Sequence, residues 1–215
     1  MPFRGRVVLE EIRFAAGVAS NPSDVVTLWK AGAGGKTVGC LPGTPVPELL
    51  HAANLLPIAL ESPSDLALFS GQVDAWLVGS DPLPFPVPSG GIPRFAFPHA
   101  PQGSVEEALD RVEGLAEWAG AVSGSPASEG ALWKSIRAYA ARRSLLGALD
   151  ERCALETAFL TPEERRDIVR TGIFLPPEAH SRLLSSILGI DSGPAAILTG
   201  GEKGDPLIVL AKRLM

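Results

Sequence analysis

Short apolar runs alternate with longer apolar stripes along this chain, and their order predicts an α/β fold. Thr37 to Cys40, Pro57 to Leu60, Val73 to Gly79 and Ile92 to Phe97 are runs bounded by Gly, Pro or Ser and too short for helices. Between the first two, Leu49, Leu50, Ala53 and Leu56 recur at spacings of three and four, which predicts a helix. Strand, turn, helix and second strand make a βαβ unit, and the crossover rule makes its strands parallel. Ser62-Pro63-Ser64-Asp65 opens a short helix to about Ser70 before the third run. The expectation is a Rossmann-like four-stranded parallel sheet flanked by helices.

Residues 1–33 read as two helices. Val7, Val8, Glu10, Glu11, Ile12, Phe14 and Ala15 fit one amphipathic helix, and Ser23-Asp24 caps a second helix through Trp29. The proline-rich run 82–91 is expected to wrap the mouth of the sheet. Beyond the fourth strand the stripes lengthen. Ser104 caps a helix with Glu106 and Glu107 in its first turn. Another helix runs from about Ser128 to Glu151, a third from Thr161 to Thr171 with Pro162 at its start, and a fourth from Pro176-Pro177 to about Leu188. Ala195 to Thr199 reads as a strand and Leu207 to Met215 as a helix, an apolar pair suited to self-association or a partner subunit. The expected organisation is 1–125, N-terminal helices and Rossmann-like domain; 126–190, a helical segment; and 191–215, the first strand and helix of an incomplete second α/β domain.

Composition narrows the partners. The chain has 215 residues, 46% of them hydrophobic and 20% charged, enough apolar material for a core. A net charge of −5 disfavours nucleic acid, which calls for clustered Lys and Arg. No apolar run approaches the roughly 20 residues of a membrane helix, and the first residues do not read as a signal peptide. Two cysteines make no disulfide framework. A cytoplasmic protein is expected, with neither nucleic acid nor membrane as partner.

Lys30 to Thr37, KAGAGGKT, nearly matches the phosphate-binding GxxxxGK[ST] pattern. Lys30 stands where the first glycine belongs, and the residues after Thr37 read as a strand rather than a helix. A P-loop is therefore not expected.

The candidate site residues follow from the carboxyl ends of the strands, where open α/β sheets place their ligands. Cys40 ends the first strand and is the first candidate there; its plain alternative is a small buried residue. Ser80, with Asp81, follows the third strand and either hydrogen-bonds a ligand or caps the turn, the cap being favoured. His99 follows the fourth strand and, with Ser80, is a candidate catalytic residue. His51 reads as a surface or capping side chain, His180 as solvated among polar neighbours, and Cys153 as structural. Glu48 sits in the first turn of its helix, where the dipole favours a carboxylate.

The residues around Cys40 carry a family resemblance. Cys40, then Pro47-Glu48-Leu49-Leu50, His51-Ala52-Ala53-Asn54 and Leu55-Leu56-Pro57 resemble the first strand, turn and helix of 2-hydroxyacyl-CoA dehydratase / benzoyl-CoA reductase subunits. Asp74 to Asp81 resembles that family's third strand, which ends in Cys-Asp, and Gly124 through Leu146 its long helical region. The likeness spans about residues 36–200. It implies two Rossmann-like halves per subunit, three cysteines holding a [4Fe–4S] cluster, an ATP-hydrolysing activator protein and a second subunit as partners, and an acyl-CoA as substrate. Such an enzyme acts as a lyase on 2-hydroxyacyl-CoA or reduces an aromatic acyl-CoA. Here the second family cysteine falls on Ser80 and most of the second half has no counterpart, leaving Cys40 of the three. Two readings follow: a short subunit of such an enzyme, or a non-catalytic member that binds acyl-CoA or acts as a scaffold. A third is a flavodoxin-like small-ligand domain outside the family.

Overall fold

A computed structural model describes residues 3–42, 46–79, 86–87, 90–97 and 104–190, with side chains from residue 8 onward. Its elements run α1 (Phe3–Ser20), α2 (Pro22–Ala33), β1 (Lys36–Cys40), α3 (Pro47–Ala52), β2 (Leu55–Ala59), α4 (Pro63–Phe69), β3 (Ala75–Val78), β4 (Arg94–Ala96), α5 (Val105–Ser123), α6 (Glu129–Leu155), α7 (Pro162–Thr171) and α8 (Pro177–Leu188). The strand and helix predicted over 191–215 lie outside the described residues, as does most of the proline-rich run. The described chain divides into a sheet unit, residues 26–135, and a helical unit, residues 3–25 with 136–190.

In the sheet unit the four strands lie in the order β2-β1-β3-β4, and every pairing is parallel. Lys36 stands opposite Leu55 and Cys40 opposite Ala59. On the other side of β1, Val38 stands opposite Ala75 and Cys40 opposite Leu77. The α/β architecture expected from the alternating periods is the one observed.

The helix after β1 is shorter than its apolar spacing predicted. It stops at Ala52 after 6 residues, and Leu56 belongs to β2. The cause is Asn54, which takes the left-handed conformation at φ 58 while the Ala53 amide closes onto Leu49 and Leu50. Asn bears that conformation at low cost and ends the helix. β3 and β4 are likewise trimmed to Ala75–Val78 and Arg94–Ala96.

One close approach fixes the middle of the sheet. Trp76, fully buried on β3, lies against Gly39 on β1, where a Cβ would come within 2.5 Å of the indole ring. At the strands' amino ends, Asp74 accepts from the Thr37 amide at 2.7 Å and from the Thr37 hydroxyl at 3.0 Å. Lys30 meets the same carboxylate at 2.8 Å and the Gln72 carbonyl at 3.0 Å. Lys36 donates to the Val122 carbonyl at 2.6 Å. Both lysines of the P-loop-like run therefore serve the frame, with Lys30 in α2 and Lys36 opening β1. α5 covers the sheet through Trp118, whose ring centroid lies 5.5 Å from that of Phe95 on β4. Its ends are set by a Ser104–Glu107 capping box and by Gly124 at φ 81.

In the helical unit, α1 packs on α7 and α8. Ala15, Leu149, Leu160, Ile168, Leu183, Leu184, Ile187 and Leu188 form its core. Each fully buried aliphatic side chain contributes roughly 1.5–3 kcal/mol, against about 0.2–1 kcal/mol for an exposed ion pair such as Arg165–Asp150. The core, not the surface charge, holds this unit. Thr161 and Glu164 form a capping box at the start of α7.

One expectation is overturned here. His180, read as solvated, is fully buried. On α8 it occupies the same stripe as Leu183, Leu184 and Ile187, so the helical period turns it inward whatever its immediate neighbours in sequence. Burial, together with the Arg142 charge and against the hydrogen bond to Ile168, pushes its pKa down to about 4. No described helix is long and apolar enough to cross a membrane.

Candidate functional site at the carboxyl edge of the sheet

β1 and β3 are neighbours, but the chain leaves them toward opposite sides: from β1 through α3 to β2, and from β3 toward β4. That divergence makes their carboxyl ends a topological switch point, the place where such sheets leave a crevice for a ligand. Pairing continues one step beyond the strands. The Leu41 amide donates to the Leu77 carbonyl at 3.0 Å, Leu60 to Cys40 at 2.9 Å, and Phe97 to Val78 at 2.8 Å. At Gly79 a Cβ would come within 3.3 Å of the Pro42 carbonyl, so the chain leaves the two central strands in close approach. Pro42 is exposed and Gly79 half-buried.

Cys40 stands at this edge with 9% of its surface exposed, its Sγ 3.6 Å from the Val38 carbonyl. It takes part in no disulfide, nor does Cys153. Cys153 packs against the helical core on α6, and burial pushes its thiol up, the Asp150 charge adding to that and the Arg165 charge opposing it. Ser80 and His99 lie outside the described residues, one step beyond Gly79 and two beyond Phe97.

On the Cys40 side of the edge the structure adds Val46 and Ser135 and shows Glu48 to be buried. Val46, just before α3, has φ 68 and ψ 51. A β-branched side chain is costly in that left-handed region, by roughly 1–3 kcal/mol, and such strain clusters where ligands bind. Glu48, in the first turn of α3, is buried. Ser135, buried on α6, donates its hydroxyl proton to the Glu48 carbonyl at 2.7 Å. A carbonyl only accepts, so the one hydroxyl proton is committed there, and His51 Nδ1, 2.9 Å from the same oxygen, must be the donor. His51 thus carries its proton on Nδ1 and ties α3 to α6, a more defined part than the surface role read from sequence. The positive φ of Val46 had no sequence signal, since valine is the residue least expected there. Nor did the pairing of Ser135 with Glu48, separated by 87 positions.

The edge offers one thiol, main-chain groups and a buried carboxylate. A [4Fe–4S] cubane is held by several thiolates, and the chain has two cysteines in all. Among the described residues no group of three or more His, Cys, Asp or Glu is placed to hold a metal ion. The donor set does not fit a cluster held by this chain alone. No protein-family model matches the chain, and no curated protein matches it.

Proposed function

We propose that this chain is a subunit of an assembly of the 2-hydroxyacyl-CoA dehydratase / benzoyl-CoA reductase type, and that its own part is to bind the acyl-CoA, not to carry a cluster. The observation that carries the reading is the position of Cys40. It ends β1 at the switch point, beside β3, at the head of the segment whose residues resemble that family. The buried thiol, the strained turn at Val46 and the close approach of Gly79 to Pro42 favour this edge, among the described residues, as the place for a small ligand. A thioester bound there would lie over the ends of β1 and β3, a placement that calls for no metal. A partner subunit would supply the thiolates and redox chemistry that this chain does not.

The test is a titration of the isotope-labelled chain with a 2-hydroxyacyl-CoA and with benzoyl-CoA, followed by amide NMR. Saturable shifts at Cys40, Val46 and Gly79 are expected. No shift at these amides at millimolar ligand would overturn the reading. The strand order β2-β1-β3-β4, also that of flavodoxin-like sheets, favours a second reading as a small-ligand domain outside the family. Shifts of the same amides with a flavin mononucleotide, and none with acyl-CoA, would select it.

A further inference from the structure

The joint between α7 and α8 is built around a histidine that the ligand-edge reading does not use. α7 ends at Thr171, and the Gly172 amide turns back to Val169 and Arg170 rather than to Ile168. The Ile168 carbonyl is therefore one of the helix-end acceptors with no amide of the next turn to fill it. His180 fills it: Nε2 lies 2.9 Å from that oxygen and, facing a carbonyl, must be the protonated nitrogen. The other ring nitrogen, Nδ1, is buried with no hydrogen-bond partner. It lies against Gly172, where a Cβ would come within 2.5 Å of both Nδ1 and Cε1. From α6, Arg142 donates to the Gly172 carbonyl at 3.0 Å and lies 4.5 Å over the ring of Tyr139. Three helices of the helical unit thus meet at the carboxyl end of α7.

We propose that this joint is an acid-sensitive latch, in which neutral His180 fastens α8 to the end of α7 and protonation of its ring releases the pair. Protonation would place a second N–H at Nδ1, buried against Gly172 with no acceptor among the described residues. It would also set a positive charge beside the Arg142 guanidinium. The carboxyl end of α7 offers a compensating attraction, since a helix end favours a cation there. Three other charged groups on the packed elements have partners of their own. Glu11 of α1 accepts from the Ser186 hydroxyl at 2.9 Å. Asp167 of α7 faces Arg166 at 3.9 Å, and Arg170 lies over the Phe174 ring. The Gly172 contact makes the arrangement specific, because any side chain there would expel the ring.

The sign follows from linkage. The folded value, about 4, lies below the ordinary 6.5, so the unfolded state binds the proton more readily between the two. The latch is fully fastened above about pH 7 and weakens as pH falls from 6.5 toward 4. Between pH 7.5 and 4.5 this one group weakens the folding equilibrium on the order of a hundredfold.

The experiment uses the full chain, labelled at its single tyrosine and at histidine Cε1 for NMR. Tyr139 is buried beside Arg142 and reports the joint directly. As pH falls from 7.5 to 4, the His180 resonance is expected to stay neutral until the Tyr139 resonance moves, the two changing together. His180→Gln, whose amide can still donate to Ile168, is expected to lose the part of the acid weakening that lies between pH 6.5 and 4.5. His180 titrating near 6.5 with Tyr139 unmoved would overturn the proposal. So would an unchanged pH dependence in His180→Gln. If that variant does not fold, the wild-type titration alone decides.

Discussion

Lys30 and Asp74 meet at 2.8 Å across the amino end of the sheet, and this pair decides what the glycine-rich run before β1 is for. Lys30 stands where the phosphate-binding pattern has its first glycine and is bound to a carboxylate and to the Gln72 carbonyl, while Lys36, at the position of the pattern's lysine, donates to the Val122 carbonyl at 2.6 Å. Burial pushes the Asp74 carboxyl up, but the hydrogen bond from Lys30, the Thr37 amide, the Lys30 charge and the Thr37 hydroxyl outweigh it and hold it below the ordinary value.

Replacing Asp74 tests that frame. Asp74→Ala leaves the buried Thr37 amide without its acceptor and Lys30 without its counter-charge, at a cost of about 2 kcal/mol. All four tryptophans, Trp29, Trp76, Trp118 and Trp133, lie in the sheet unit, so urea unfolding followed by tryptophan fluorescence reads this unit. The carboxyl's folded pKa is depressed. Its contribution is therefore present above the unfolded value, near 3.8, and is lost as pH falls through the folded one. Wild type and variant should differ at pH 7 and converge as pH falls below 3.8 and through the depressed folded value. Equal urea midpoints at pH 7 would show that the carboxylate is not what holds the strand ends.

The strands and long helices were legible because each has its own period and its own caps. Ser104 with Glu107 and Thr161 with Glu164 are capping boxes visible as letters and present as hydrogen bonds. The end of α3 was not legible, because its apolar spacing ran on past Asn54 and only the left-handed backbone there cut it. His180 was misread through its polar neighbours, although its spacing to Leu183, Leu184 and Ile187 carried the correct answer. At the carboxyl edge of the sheet, sequence located Cys40 by the strand it ends. Val46, Ser135 and the Gly79 approach to Pro42 depend on backbone conformation and distant pairing, which local pattern does not encode.

Gly39→Ala probes the packing beneath the edge. The added methyl would stand 2.5 Å from the Trp76 ring, and 3.2 Å from a Leu60 methyl. Neither neighbour has room to give, both being fully buried. Overpacking of this kind costs typically 1–3 kcal/mol. The urea midpoint should fall and the Trp76 emission should shift toward that of a wetter indole. A variant as stable as wild type would mean that the indole does not cross Gly39.

Ser135→Ala separates two roles for His51. The variant removes the donor to the Glu48 carbonyl and the acceptor for His51 Nδ1. A loss of about 1–2 kcal/mol is expected, because buried partners are left unsatisfied. The ring should also shift from the Nδ1-protonated tautomer toward the commoner Nε2 form, which nitrogen chemical shifts distinguish. A tautomer unchanged by the substitution would show that Ser135 does not set it.

A cubane cluster binds through thiolates at its corners, and a serine hydroxyl at position 80 is a poor substitute, since soft iron–sulfur centres select sulfur. Cys40 is the one cysteine at the carboxyl edge of the sheet, and its Sγ lies close to the Val38 carbonyl. Purified without oxygen, the chain alone should hold well under one [4Fe–4S] per monomer by iron and sulfide analysis. Cys40→Ser should leave the trace iron unchanged, because one thiolate retains no cluster. It should nonetheless alter the acyl-CoA titration if the thiol lines the ligand edge. Stoichiometric iron and sulfide with broad visible absorbance, lost in Cys40→Ser, would reverse the assignment and require further ligands from a second copy of the chain or from groups other than cysteine.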